Sequence, residues 1–277
     1  MCTSKGSLLI TEFIRPLPTV FLLIMMALVG SETIYIYHTP LPNMFNMRLE
    51  KQNESLPICN LLNNSIGDHV KINRHGALLP DNIRALICGS SGSGKTNLMA
   101  CLLLQPNGLK FTHIYICSQS LQQEKYLYLE EIFKLVPEIG FHTVNTTQQI
   151  ITPDNAEPNS VIVFDDISMD EQENIRKYFS MGRHKNIDCF YLCQSYARIP
   201  KHLIRDNANF ILLFKQDDLN LKHVYSDHIS SPNVPFDKFK QMCYICWEEP
   251  HGFITLDKTR DSNNGRFRKG LDTFIYI

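Results

Sequence analysis

Residues 89–96 read GSSGSGKT, a spacing suited to wrapping phosphate. Gly89, Gly92 and Gly94 alternate with Ser90, Ser91 and Ser93, so successive backbone N–H groups can turn inward around an anion. Lys95 has the reach for the outer phosphates of a nucleoside triphosphate, and the Thr96 hydroxyl is the kind of ligand Mg2+ takes. ATP and Mg2+ are the expected substrate and metal ion. A second feature is the acidic end of SVIVFDD, residues 160–166. Asp165 closes an apolar strand, so its carboxylate is expected at the carboxyl edge of a sheet, where it can hold the magnesium. Asp166 is the candidate base or water-orienting residue.

A third feature is MGRHKNIDCFYLCQSYARIP, residues 181–200, an apolar run with an arginine at its mouth and a glutamine at its tip. If that strand lies beside the one entering the phosphate loop, the Gln194 amide can hydrogen-bond both the attacking water and a phosphate oxygen. A plain polar strand end is the other reading. Arg183 follows a helix, where the macrodipole favours a cation. It also suits an arginine finger that reaches a neighbouring subunit's nucleotide. Arg205, in IPKHLIRDN, is its rival for that role.

These residues need a scaffold of alternating strands and helices. Strands are expected at 84–88, 112–118, 160–166, 188–195 and 209–215, nearly all apolar. Helices are expected at 95–105, at about 121–136 with Leu121, Tyr128, Leu129, Ile132 and Phe133 on one face, and from about 170 to 181. Near-continuous apolar strands separated by helices imply a mainly parallel sheet covered on both sides, an α/β three-layer fold. No internal repeat or low-complexity tract interrupts it.

The chain has 277 residues, 44% of them hydrophobic, enough for a sizeable core. A formal net charge of -1 excludes a general basic coat for nucleic acid, so any DNA contact must come from local patches. Two stretches qualify: Arg183, Lys185, Arg198, Lys201 and Arg205, and then Arg260, Arg266, Arg268 and Lys269. The 9 cysteines, several inside apolar runs, imply reduced thiols of an intracellular protein. Cys243 and Cys246, with His251, His223 and His228 about them, fit a buried amphipathic segment better than a zinc site, which needs a second tight ligand pair. Residues 1–70 are expected to be leader and linker, and residues 71–277 the catalytic domain. The apolar run at 20–30 resembles a secretory signal but is short for a membrane span. Secretion or anchoring is not expected, and Met47 is an alternative start to Met1.

Taken together, LLPDNIRALICGSSGSGKTNLM, VIVFDD and GRHKNIDCFYLCQSYARIPKHLIRDNANF resemble the FtsK/HerA branch of additional-strand P-loop ATPases. Within it the chain is most similar to the genome-packaging ATPases of poxvirus-type viruses and of Polinton/Maverick elements, over roughly residues 74–230. The resemblance implies a glutamine-tipped strand between the phosphate-loop and aspartate strands. It also implies an oligomeric ring that pumps double-stranded DNA into a preformed capsid, with a capsid or portal component as a possible partner. By position, Lys95 and Thr96 match the Walker A residues, Asp165 and Asp166 the Walker B pair, Gln194 the polar sensor and Arg183 the arginine before the sensor strand. Many such ATPases carry glutamate where Asp166 stands, and aspartate reaches about one methylene less far. The alternatives are another P-loop DNA motor, such as a helicase or conjugation-type pump, and a non-motor nucleotide-dependent scaffold or decayed element copy. A GTPase is disfavoured because no N-K-x-D signature is present.

Overall fold

Five apolar runs in this chain become strands because each can be buried on both faces. The computed structural model describes residues 48–54, 56, 74–146, 149–167, 172–231 and 233–277. The chain divides after Met44, and everything described belongs to the second unit, Phe45–Ile277. In chain order the strands and helices are β1 (Arg48–Lys51), β2 (Arg84–Cys88), α1 (Lys95–Leu104), β3 (His113–Ser118), α2 (Glu124–Lys134), β4 (Gly140–Val144), β5 (Ser160–Asp165), α3 (Glu173–Met181), β6 (Asp188–Cys193), β7 (Phe210–Phe214), α4 (Asp218–Val224), α5 (Phe236–Cys246), β8 (Phe253–Asp257), β9 (Phe267–Lys269) and β10 (Thr273–Tyr276). They form one sheet of order β1-β10-β9-β8-β7-β2-β6-β5-β3-β4. From β7 to β4 every pairing is parallel, and β8, β9, β10 and β1 extend the sheet antiparallel.

The period of two along each strand divides the core between the two faces. On β2, Ala85 and Ile87 join Leu98 and Leu102 of α1, while Leu86 and Cys88 join Ile175 and Phe179 of α3. This double burial is why the strands read as unbroken apolar runs. β4 escapes that pattern: it is an edge strand whose His142 and Thr143 are exposed.

Several boundaries differ from expectation. The helix expected from about residue 170 begins at Glu173, and residues 168–171 lie outside the described ones. The buried face of α2 is Tyr126, Leu129 and Phe133, with Leu121 in the turn before it, because the turn at 119–123 delays the helix start. Strand β1 lies upstream of the expected domain start at residue 71 and pairs with β10, Arg48 opposite Tyr276. The apolar run at 20–30 lies outside the described residues. Among the described residues no helix is long and apolar enough to cross a membrane.

The second basic stretch is not a free surface for DNA. Arg268 is fully buried and pairs with buried Asp257 at 2.5 Å, while its other N–H groups donate to the carbonyls of Leu78, Gly265 and Leu271. Arg260 also pairs with Asp257, Arg266 donates to the His228 carbonyl, and Lys269 pairs with Glu249. Arg268 and Arg260 also donate to the carbonyls of Leu78 and Ala77, which ties the antiparallel strands to the segment before β2.

Candidate functional site

The loop from Gly89 to Thr96 leaves β2 at the carboxyl edge of the sheet and runs into α1. Gly92 (φ 74°) and Gly94 (φ 109°) occupy the left-handed region that admits glycine without strain. A Cβ at Gly89 would stand 2.7 Å from the Phe214 Cβ, so the loop also needs glycine for space. Lys95 folds back, its Nζ donating to the carbonyls of Gly89 (2.7 Å) and Ser90 (3.0 Å).

β6 lies between β2 and β5, as the resemblance implies. The register puts Cys193 opposite Cys88, their sulfurs 3.1 Å apart, and the Gly89 N–H donates to the Cys193 carbonyl at 3.0 Å. Gln194, exposed, thus leaves its strand directly beside the phosphate loop. On the other side of β6, Asp165 pairs with Leu192. The three strand tips enclose a cavity of about 330 Å3 lined by Lys95, Thr96, Asp165, Asp166, Gln194 and Arg198 among others.

Asp165 is 6% exposed, and its Oδ2 accepts from the Thr96 hydroxyl at 3.4 Å and from the buried Tyr126 hydroxyl. Burial pushes its carboxyl above the usual range, and Asp166 adds to this; the Tyr126 hydrogen bond and Lys95 pull the other way. Burial lowers Lys95 from the ordinary lysine value, with Asp165 the largest opposing charge. Asp166 follows the strand in the left-handed region (φ 53°), which aspartate tolerates better than most residues, and its exposed carboxylate accepts from Ser120 at 3.3 Å.

Thr96 and Asp165 offer a hydroxyl and a carboxylate oxygen close together, a hard-oxygen donor pair that fits Mg2+, which takes its remaining ligands from phosphate and water. Among the described residues no group of three or more His, Cys, Asp or Glu side chains gathers to hold a metal ion. Cys243 and Cys246 are buried thiols of α5, and burial pushes Cys246 up to about 12.

Arg183 is not in this site. It lies in the turn before β6, at the opposite edge of the sheet, with the six residues Asp188–Cys193 between. At ~3.3 Å per residue that separation is about 20 Å. It is exposed, and its side chain makes no hydrogen bond or ion pair among the described residues. Arg205 is occupied inside its own chain: it is 9% exposed, pairs with Asp227 at 2.8 Å and packs over the Tyr196 ring. The first basic stretch is therefore divided, Arg183 and Lys185 at one edge and Arg198 at the other.

Three site residues escaped the sequence reading. Arg198, from the short turn after Gln194, supplies a cation in the same chain's cavity. Ser120 and Tyr126 hold the two aspartates. Tyr126 had a usable signal, since it shares a helical face with Leu129 and Phe133.

Tyr126→Phe is expected to destabilise the fold by about 1–3 kcal/mol at neutral pH, because a buried carboxylate loses a donor. The folded Asp165 carboxyl titrates above its unfolded value, so its buried charge costs stability as pH rises through that interval. The Tyr126→Phe penalty is then largest at neutral pH and fades on acidification as Asp165 takes a proton. Urea denaturation across pH reads this directly, and a pH-independent penalty would contradict it.

Residues 70–231 match the family described as Poxvirus A32 protein. No curated protein matches the chain. Solved structures with a similar chain path include B204, the DNA-packaging ATPase from Sulfolobus turreted icosahedral virus, at 15% identity and TM-score 0.43, covering 72% of this chain and 98% of that one. The genome packaging NTPase B204 from Sulfolobus turreted icosahedral virus 2 in complex with AMPPCP is similar at 10% identity and TM-score 0.42, covering 72% and 99%. The matched residues include the phosphate loop, both aspartates, Arg183 and Gln194 and make up more than half of the chain, which therefore belongs to the poxvirus A32 protein family.

Proposed function

We propose that this chain is an ATP-driven motor that moves double-stranded DNA, packaging a viral or virus-like genome into a capsid. The observation that carries the proposal is the meeting of the phosphate loop, Asp165 and Gln194 in one cavity at one sheet edge. The loop's backbone N–H groups and Lys95 bind and orient the β- and γ-phosphates. Mg2+, held by Thr96 and Asp165, would neutralise charge on the phosphates when bound. The Ser120 bond engages Asp166 Oδ2, and its other oxygen is the one to orient the attacking water and take its proton. The Gln194 amide contacts water and γ-phosphate together. Arg198 adds positive charge from within the same chain. The ATPase domain runs over residues 71–277, with Arg48–Lys51 as an added edge strand.

Arg183 lies at the sheet edge opposite its own nucleotide loop, which favours a role across a subunit boundary in a homo-oligomeric ring. Mixing Arg183→Ala subunits with Lys95→Ala subunits is expected to restore part of the activity lost in each, because some interfaces pair an intact loop with an intact arginine. No rescue at any mixing ratio would contradict the role in trans. DNA contact is sequence-independent, through phosphates. The motor reading is tested by ATP-driven displacement of a third strand from duplex DNA. Hydrolysis without displacement would reduce the chain to a nucleotide-dependent scaffold.

A further inference from the structure

A second cavity, of about 1050 Å3, opens on the other flank of the phosphate loop. It shares Gly92, Lys95, Thr96 and Gln123 with the smaller one, so the two adjoin across the loop. Its far wall comes from the C-terminal segments around β8 and after β9, including Glu249, His251, Phe253 and Thr273. These residues all lie beyond residue 231, where the family match ends.

Topology decides what belongs in this space. Asp165, Asp166 and Gln194 stand on the β5–β6 side of the loop. A triphosphate whose terminal group lies among them must leave the loop in the other direction, toward β7 and β8. The larger cavity is found there. Its floor includes Phe214 and Phe253, whose rings are 5.2 Å apart. His251 stands on the loop itself, its Nδ1 3.1 Å from the Ser93 carbonyl, with its backbone in the left-handed region (φ 59°). A carbonyl only accepts, so Nδ1 carries the proton of this bond, and in that tautomer Nε2 is an acceptor. The exposed ring also offers an aromatic face. Glu249, paired with Lys269 at 2.8 Å, adds further acceptor oxygens at the rim. An aromatic face, an apolar floor and acceptors for amine or hydroxyl hydrogens suit a nucleobase and its ribose.

We propose that the C-terminal segments 246–253 and 269–273 form the nucleoside subsite, with His251 as the residue that receives the base. The proposal rests on the phosphate-loop reading above. It also assigns the tail beyond the family match a place in substrate binding.

ADP and pyrophosphate separate the two readings, since they share a diphosphate and differ in the nucleoside. His251→Gly, which keeps the left-handed backbone unstrained, is expected to weaken ADP binding roughly tenfold while leaving pyrophosphate binding unchanged, measured by titration calorimetry on the full chain. Loss of neither, or an equal loss of both, would overturn the subsite. Photolabelling of the wild-type chain with 8-azido-ADP gives an answer independent of any variant. The label is expected within 246–253 or 269–273, and a label confined to the Arg198 side would overturn the proposal. If the wild type bound neither ADP nor pyrophosphate, the phosphate-loop reading itself would fall, and the subsite with it.

Discussion

Lys95→Ala is expected to slow ATP hydrolysis by about a hundred- to a thousandfold while leaving the thermal midpoint nearly unchanged. The activity loss follows from removing a positioned cation aimed at charge that develops in the transition state, which costs about 2.7–4 kcal/mol for one donor in comparable sites. The stability forecast follows from the folded chain. Lys95 is half-buried, and burial lowers its affinity for a proton, so its charge is carried at some cost. What it gives back is two hydrogen bonds, one to the carbonyl of buried Gly89 and one to that of exposed Ser90. Both lie beside a cavity from which water can replace them. Steady-state ATPase rates and a thermal melt check both halves. A variant that keeps wild-type hydrolysis would contradict the site, and one that unfolds would contradict the account of the loop.

Arg268→Met should destabilise the fold by about 3–5 kcal/mol, because a buried Asp257 would lose its fully buried partner. Burial pulls the Arg268 guanidinium down to about 10, yet Asp257 opposes that shift and the guanidinium stays charged at neutral pH. The same guanidinium donates to the Leu78 carbonyl, so it links the C-terminal strands to the segment that enters β2. The conventional reading of a Lys/Arg-rich stretch as DNA-contacting surface predicts instead no change in stability and weaker DNA binding. Urea denaturation separates the two. Replacing Asp257 as well, with an apolar residue of similar volume, should recover much of the loss, since a well-packed apolar pair does not carry the desolvation cost. A loss under about 1 kcal/mol in the single variant would contradict the structural role.

The parallel half of this fold was legible in the sequence for a physical reason. Strands buried on both faces tolerate no polar residue until they end, so VIVFDD and DCFYLCQS show both their course and the residues at their tips. At those tips Gln194, Asp165 and Lys95 line one cavity. Edge and antiparallel strands gave no such signal. β4 carries exposed polar residues, and β9 holds a buried arginine that looks like a surface charge until its partner in β8 is known. The place of Arg198 in the cavity was not legible for another reason. The turn of Tyr196–Arg198 brings it back over the sheet edge, whereas Arg183, close to it in sequence, stays at the far edge. Proximity along the chain carries no information about which end of a strand a residue occupies.

The central claim is that hydrolysis at these strand tips is coupled to movement along duplex DNA. The most direct measurement is the ATPase rate of the full chain with and without long linear duplex. The account predicts that duplex raises the rate severalfold and that Lys95→Ala lowers both the basal and the stimulated activity by the same large factor. A rate indifferent to DNA at every length and salt concentration tested would contradict it.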